Sequence, residues 1–273
     1  MLAILLTASQ GWALTLNDVV KKVEGNYKNI VAFRGSFNQT ATLKTLNKVQ
    51  QAQGDLFYKS EIDAIKKTKI VNKFKWEYKT PTEQEIISDG KTLWMYFPEN
   101  RQVYIYDLTE TFAQEVAGEG QIPGNFLTSL GDLRRDFNVQ WGTPRDRDAR
   151  GNYIIELVPK RPMVNVRNIF LVVPKELVTA APARTPLTAM EGQRCTYDNN
   201  PCTGSKIFPV LASTVYDSFG NMTNIEFADI EVLEATDETV PAKKRAWTLP
   251  DSMFTYLAPA NVEIIKPPLT RPK

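Results

Sequence analysis

Hydrophobic positions change period several times along the chain, and most of those changes mark a strand. In KFKWEY (73–78), Phe74, Trp76 and Tyr78 alternate with Lys73, Lys75 and Glu77. A period of two is the mark of a strand with one buried and one wet face. Thr80-Pro81 then ends the ladder, because proline has no N–H to give. After EIIS, Asp89-Gly90 is a hairpin dipeptide whose glycine accepts positive φ at little cost. KTLWMYF continues with β-branched and aromatic residues. Residues 73–98 therefore read as a β-meander. Three large aromatics on one strand face exceed what a small sheet needs for closure, and they suggest a concave apolar surface that takes a ligand.

The flanking chain follows the same logic. Residues 15–32 place Leu16, Val19, Val20, Val23, Tyr27, Ile30 and Val31 in one helical stripe, with Thr15 or Asn17 as the cap. From Phe33 the period becomes two, through Gly35, Phe37, Gln39, Ala41 and Leu43. In QQAQGDLFYK, Leu56 and Tyr58 oppose Asp55, Phe57 and Lys59. SEIDAIKKTKIVN (60–72) is lysine-rich and is expected to be a solvated loop. QVYIYDL is a further strand. In IPGNFLTSLGDLRRDF, Phe126, Leu127, Leu130 and Leu133 fall at helical spacing, weakened by Gly124 and Gly131. A helix that apolar and that marginal has the composition of a lid, and equally of a fixed crossover. NVQWG, NYIIELVP, VRNIFLVVP, PVLASTVYD and MTNIEFADIEVL are strands separated by polar turns, which predicts an antiparallel sheet. Residues at about 175–206 are expected to leave the sheet as a polar excursion. FTYLAPANVEII reads as a last strand, and 266–273 as a flexible tail.

Composition narrows the function. The chain has 273 residues, 42% hydrophobic and 23% charged, with a formal net charge of +2. These are ordinary globular values, and the charge implies neither nucleic acid nor an acidic substrate. There is no histidine, which removes Ser-His-Asp and Cys-His catalysis and most zinc sites. MLAILLTASQGWA (1–13) looks like the apolar region and cleavage site of a signal peptide, without the basic n-region, as a late-called start codon would leave it. A buried N-terminal helix is the alternative. The run is too short for a membrane span, so an exported, soluble protein is expected. Cys195 and Cys202 flank TYDNNP, and in an oxidising compartment the pair would close a small loop. Loop-closure entropy makes such a bond worth about 2–3 kcal/mol. Asp55, Glu77, Glu85 and Asp89 are carboxylates that a glycosidase would use in pairs, although surface solvation accounts for all four.

The stretches FRGSFNQ (33–39), GDLFYK (54–59), KFKWEY (73–78), IISDGKTLWMY (86–96), LGDLRRDF (130–137), YDSFGNMTNIEF (216–227) and FTYLAPANVEII (254–265) resemble the LolA family of periplasmic lipoprotein carriers. The resemblance spans most of the chain outside 60–72 and 175–206. It implies a mainly β fold: one domain over 14–265, an unclosed antiparallel β-barrel with helices covering its concave face. It implies the periplasm of a Gram-negative bacterium, no cofactor, no nucleic acid, and a monomer. The cargo would be acylated lipoproteins, received from an inner-membrane ABC transporter of the LolCDE type. Delivery would be to an outer-membrane receptor of the LolB type or to the outer membrane itself. On this reading Phe37, Leu56, Tyr58, Phe74, Trp76 and Tyr78 wall an acyl-chain cavity, and Val20, Val23, Tyr27, Phe126, Leu127 and Leu130 form the lid. Such a carrier needs a dry interior, because each exposed methylene costs about 0.8 kcal/mol. One departure stands out. Familiar members carry an arginine after the GDL-x-x-K strand that ties barrel to lid; here Ser60 follows Lys59. Lys59, Lys69 or Lys73 are the candidates to replace it, without the forked geometry of a guanidinium. A sensing or lipid-binding module on the same fold is the alternative function, though the lack of a clear second domain argues against an RseB-like regulator.

Overall fold

The computed structural model describes residues 14–62, 69–108, 127, 130–163, 166–179, 207–234 and 248–266. Helix α1 is Leu16–Asn29, and the first strands are β1 Ile30–Leu43, β2 Lys48–Ile62 and β3 Lys69–Thr80. The meander supplies β4 Gln84–Ser88, β5 Thr92–Phe97 and β6 Gln102–Asp107. A short α2, Leu133–Asp136, leads into β7 Phe137–Trp141, then β8 Tyr153–Pro159 and β9 Asn168–Val173. Helix α3, Lys175–Thr179, precedes β10 Ala212–Tyr216, β11 Met222–Glu234 and β12 Glu263–Ile265. Among the described residues these strands form one sheet of twelve, in the order β12-β6-β5-β4-β3-β2-β1-β11-β10-β9-β8-β7. The two edge strands do not meet, so the barrel is unclosed. Every pairing is antiparallel except β12 on β6, which is parallel.

Local chemistry explains most boundaries. Thr15 caps α1: its Oγ1 accepts from the Asp18 N–H, and the Asp18 carboxylate accepts from the Thr15 N–H, a reciprocal capping box. The helix ends at Asn29, short of the expected 32, because β-branched Ile30 and Val31 open β1 instead. The Asp89-Gly90 turn forms as predicted. Gly90 has φ of 91°, and Asp89 Oδ1 accepts from the Lys91 and Thr92 N–H groups.

Three expectations are corrected, and the start of the 175–206 segment is defined. The lysine-rich 60–72 segment is not a loop over most of its length. It lengthens the β2–β3 hairpin, with Ser60 opposite Asn72, Glu61 opposite Val71 and Ile62 opposite Lys69. Backbone pairing between the two strands satisfies their N–H and C=O groups whatever the side chains are. The helix expected through Leu127 and Leu130 is not continuous. Helical turns resume only at Leu133, after Gly131-Asp132, although Leu127, Leu130 and Leu133 are all buried. The 175–206 excursion begins as α3, whose Leu177 and Val178 return to the core and whose body packs on α1. The C-terminal stretch is a strand only over three residues. Asp251–Phe254 is a 3-10 turn that buries Phe254.

That C-terminal segment covers the outer face of the sheet. Leu249 and Phe254 join Val31, Ala32 and Leu233 in a second small core, with Phe57 and Met253 packed beside it. Lys59 Nζ donates to the Leu249 carbonyl at 3.1 Å and to Asp251 Oδ1 at 2.9 Å. Lys73 Nζ reaches Asp251 at 3.2 Å and Glu61 at 2.7 Å. Hydrogen bonds from Lys59 and Lys73 hold the Asp251 carboxyl below its usual range. A depressed folded-state pKa stabilises fully above the unfolded value and is lost as pH falls through the depressed one. Asp251→Asn should therefore cost about 0.5–1 kcal/mol at neutral pH, the worth of an exposed charge network. Urea unfolding of both proteins checks this: the gap should close as the pH drops below the carboxylate range.

Candidate functional site

Residues directly opposite one another in antiparallel strands share a face. Tyr58 lies opposite Phe33 on one side and Phe74 on the other, and Leu56 opposite Trp76. Gly54 lies opposite Phe37 on β1 and Tyr78 on β3. The alternation read from the sequence thus brings Phe37, Leu56, Tyr58, Phe74, Trp76 and Tyr78 to one face. Five of them are buried and Phe74 is half-buried, packed against the same cluster.

The rings form a continuous series. Tyr27 of α1 meets Tyr58 at 5.9 Å between centroids, and Tyr58 stacks on Phe33 at 4.8 Å. Phe33 meets Phe208 at 4.7 Å, and Phe208 meets Phe227 at 5.7 Å. Trp76 lies 6.4 Å from Phe227 and 4.8 Å from Phe37, edge to face with the latter. Phe37 in turn meets Tyr78 at 4.9 Å. Edge-to-face contacts of this kind add about 0.5–1.5 kcal/mol each beyond burial.

Gly54 explains how the rings come so close. A Cβ there would fall 2.9 Å from the Phe37 ring and against the Glu77 carbonyl oxygen. The two buried phenols nearest α1 and Gly54 find acceptors at the margin of the apolar face. Tyr58 Oη donates to Asn72 Oδ1 at 2.6 Å and Tyr78 Oη to Gln39 Oε1 at 2.8 Å. Burial pushes the Tyr58 hydroxyl up to about 12 and the Tyr78 hydroxyl higher still, so both stay neutral.

The predicted lid residues pack on this face. Val20, Val23 and Tyr27 of α1, together with Leu127 and Leu130, belong to the same apolar cluster as the sheet aromatics. Phe126, Cys195 and Cys202 lie outside the described residues. Sequence reasoning missed Phe33, Phe208 and Phe227 as site residues, and it missed α3. Phe33 and Phe227 follow the period-two pattern and were legible. Phe208 sits in IFPV, which has no periodicity to place it.

The charged candidates stand elsewhere. Lys59 and Lys73 are on the outer face, bound to the C-terminal segment, and do not tie the sheet to the lid. Strand alternation dictates this, since each neighbours an inward aromatic, Tyr58 or Phe74. The Lys69 side chain lies outside what is described. Ser60 takes the inward position after Lys59 and is buried against the Ile30 and Val31 carbonyls. The four carboxylates are each engaged. Asp55 pairs with Lys79, Glu77 and Glu85 with Lys75, and Asp89 caps its own turn. Among the described residues no cluster of His, Cys, Asp or Glu suits a metal ion, and no helix is long and apolar enough to cross a membrane.

Comparison with known proteins adds the family. Outer-membrane lipoprotein carrier proteins are similar over nearly the whole chain. That of Methylobacillus flagellatus is 21% identical over 248 residues, covering 91% of this chain and 89% of its own. That of Nitrosomonas europaea is 23% identical over 250 residues, with the same coverage. The crystal structure of a LolA superfamily protein from Nitrosomonas europaea aligns with 14% identity and a TM-score of 0.43, over 89% of this chain and 99% of that one. The model of the family described as outer membrane lipoprotein carrier protein LolA matches residues 28–181, more than half of the chain. The protein belongs to the LolA family.

Proposed function

We propose that this protein carries acylated lipoproteins, holding their acyl chains between α1 and the aromatic face of β1–β3. Family membership and the names of its relatives support a carrier. The observation that carries the reading is the single apolar cluster shared by α1 and the sheet, with Tyr27 against Tyr58 at the seam. Apolar packing without directional bonds lets a hydrocarbon chain replace one surface for another at little net cost. Each methylene taken from water returns about 0.8 kcal/mol, so a lipid anchor supplies ample energy to part α1 from the sheet. The site is built for binding: among the described residues, the charged side chains of β2 and β3 at Asp55, Lys59, Lys73, Lys75 and Glu77 alternate away from the apolar face.

In this reading residues 1–13 direct export, and 14–265 form one carrier domain working in the periplasm. An inner-membrane ABC transporter of the LolCDE type loads it, and a LolB-type receptor or the outer membrane itself receives the cargo. The seam differs from a charged latch. Where the family resemblance implies an arginine, this chain buries Ser60 and uses two tyrosine rings.

Native mass spectrometry of the protein taken from cells tests the proposal. The expected adduct is an acylated peptide or protein. A free phospholipid as the sole adduct, or none under conditions that preserve lipid complexes, contradicts it. Trp76→Leu tests the site. It should weaken binding of a diacylated lipopeptide roughly tenfold, the equivalent of about 1.4 kcal/mol, while the protein stays folded. Unchanged affinity would place the chains elsewhere.

A further inference from the structure

The strand pairings bring three hairpin tips side by side at one end of the sheet. They are the β8–β9 turn, the β10–β11 turn and the β1–β2 turn, because Leu157 pairs with Ile169, Tyr216 with Met222, Met222 with Thr42, and Leu43 with Lys48. The last two tips are fastened together: the Lys44 N–H donates to Asn221 Oδ1 at 2.9 Å. The β1–β2 hairpin also projects past its other neighbour, since β2 pairs with β3 only from Gln53 onward.

Three of the six exposed large apolar side chains among the described residues are on or beside these tips, the others being Leu14, Leu257 and Ile264. Leu46 is 70% exposed, Val49 59% and Phe219 70%. Large apolar side chains at a turn cost solubility and contribute nothing to the core, so their exposure asks for a partner. The charges around them have one sign. Lys44 and Lys48 flank Leu46, and Arg161 and Arg167 are exposed on the adjacent turn. The carboxylate within the three tips is Asp217, which is turned inward on the Phe219 and Asn221 N–H groups and the Asn221 side chain. Glu83 and Glu99 sit on the shorter tips beyond β2. A chain of net charge +2 thus gathers four exposed cations about three exposed apolar side chains.

We propose that this end of the sheet docks on an anionic phospholipid surface, with Leu46, Val49 and Phe219 entering the headgroup region and the cations meeting lipid phosphates. Apolar side chains with a basic collar are the combination that binds such surfaces, each part alone being weak. A protein partner would need acids set opposite the collar and an apolar pocket for each tip; a bilayer supplies both without a shape requirement. The site is separate from the acyl-chain face, because the tips lie beyond the paired region that carries the aromatics.

The purified protein is sedimented with phosphatidylcholine vesicles with and without phosphatidylglycerol. The expected result is binding to the anionic vesicles that falls as salt is raised. Lys44→Gln with Lys48→Gln should cut that binding roughly tenfold or more, and Leu46→Ser with Phe219→Ser should cut it by a similar factor. All four positions are exposed, so the variants should keep the parent's circular dichroism and thermal midpoint. Trp76→Leu should leave vesicle binding unchanged, which separates this proposal from the carrier reading. Lack of binding to anionic vesicles overturns the proposal, as does binding that neither double variant alters. Sedimentation velocity showing a dimer that Leu46→Ser with Phe219→Ser dissociates, without vesicle binding, would assign the patch to a second copy and overturn it too.

Discussion

Phe37→Ala should lower the free energy of unfolding by about 3–5 kcal/mol, the cost of deleting a buried ring and leaving a hole that its neighbours only partly fill. Phe37 is buried and sits edge-on to both Trp76 and Tyr78, with centroids 4.8 and 4.9 Å away. Its β11 neighbour is Phe227, so three strands lean on one side chain. Relaxation is limited because each partner is held by its own strand. Urea denaturation followed by circular dichroism reads the effect, with a lower midpoint and an unchanged slope. A loss of under about 1 kcal/mol would mean that the ring contacts are not tight, and that the apolar face is loosely filled.

Gly54→Ala should be nearly as damaging, at about 3 kcal/mol. The added methyl meets the Glu77 carbonyl oxygen and the Phe37 ring, and the first of these is backbone. The β2–β3 ladder already shifts register between Gln53 and Gly54, so the strand cannot slide to make room. For a domain of this size the thermal midpoint should fall by about 6–12 °C. A midpoint within a degree or two of the parent would show that the two strands lie farther apart than described. The glycine of the GDL stretch is then explained by close approach and not by a turn.

Much of this was legible before any coordinates. Period-two alternation in KFKWEY and QGDLFYK placed Leu56, Tyr58, Phe74, Trp76 and Tyr78 on one face, because strand geometry leaves no other option. The α1 stripe was legible from Leu16 to Tyr27, with Thr15 one of two candidate caps, whereas Ile30 and Val31 went to β1. The β2–β3 extension was not: its strands satisfy each other through backbone pairing, and pairing leaves no hydrophobic signature. The role of Lys59 and Lys73 was half legible. Alternation sends them outward, but their partner Asp251 lies nearly two hundred residues away in sequence, beyond any local pattern. The covering elements were hardest. Leu127, Leu130 and Leu133 are buried as expected, yet the helix that their spacing suggested is broken, since burial can be met by an irregular path.

The carrier account rests on hydrocarbon entering the space between α1 and the β1–β3 aromatics, and Trp76 is the natural reporter. The chain has five tryptophans. A variant with Trp12, Trp94, Trp141 and Trp247 changed to phenylalanine leaves Trp76 as the sole indole. Titration with a lipopeptide bearing brominated acyl chains should then quench its fluorescence, and the same peptide without acyl chains should not. Saturable lipopeptide binding that leaves Trp76 emission untouched would put the acyl chains outside this face and contradict the account.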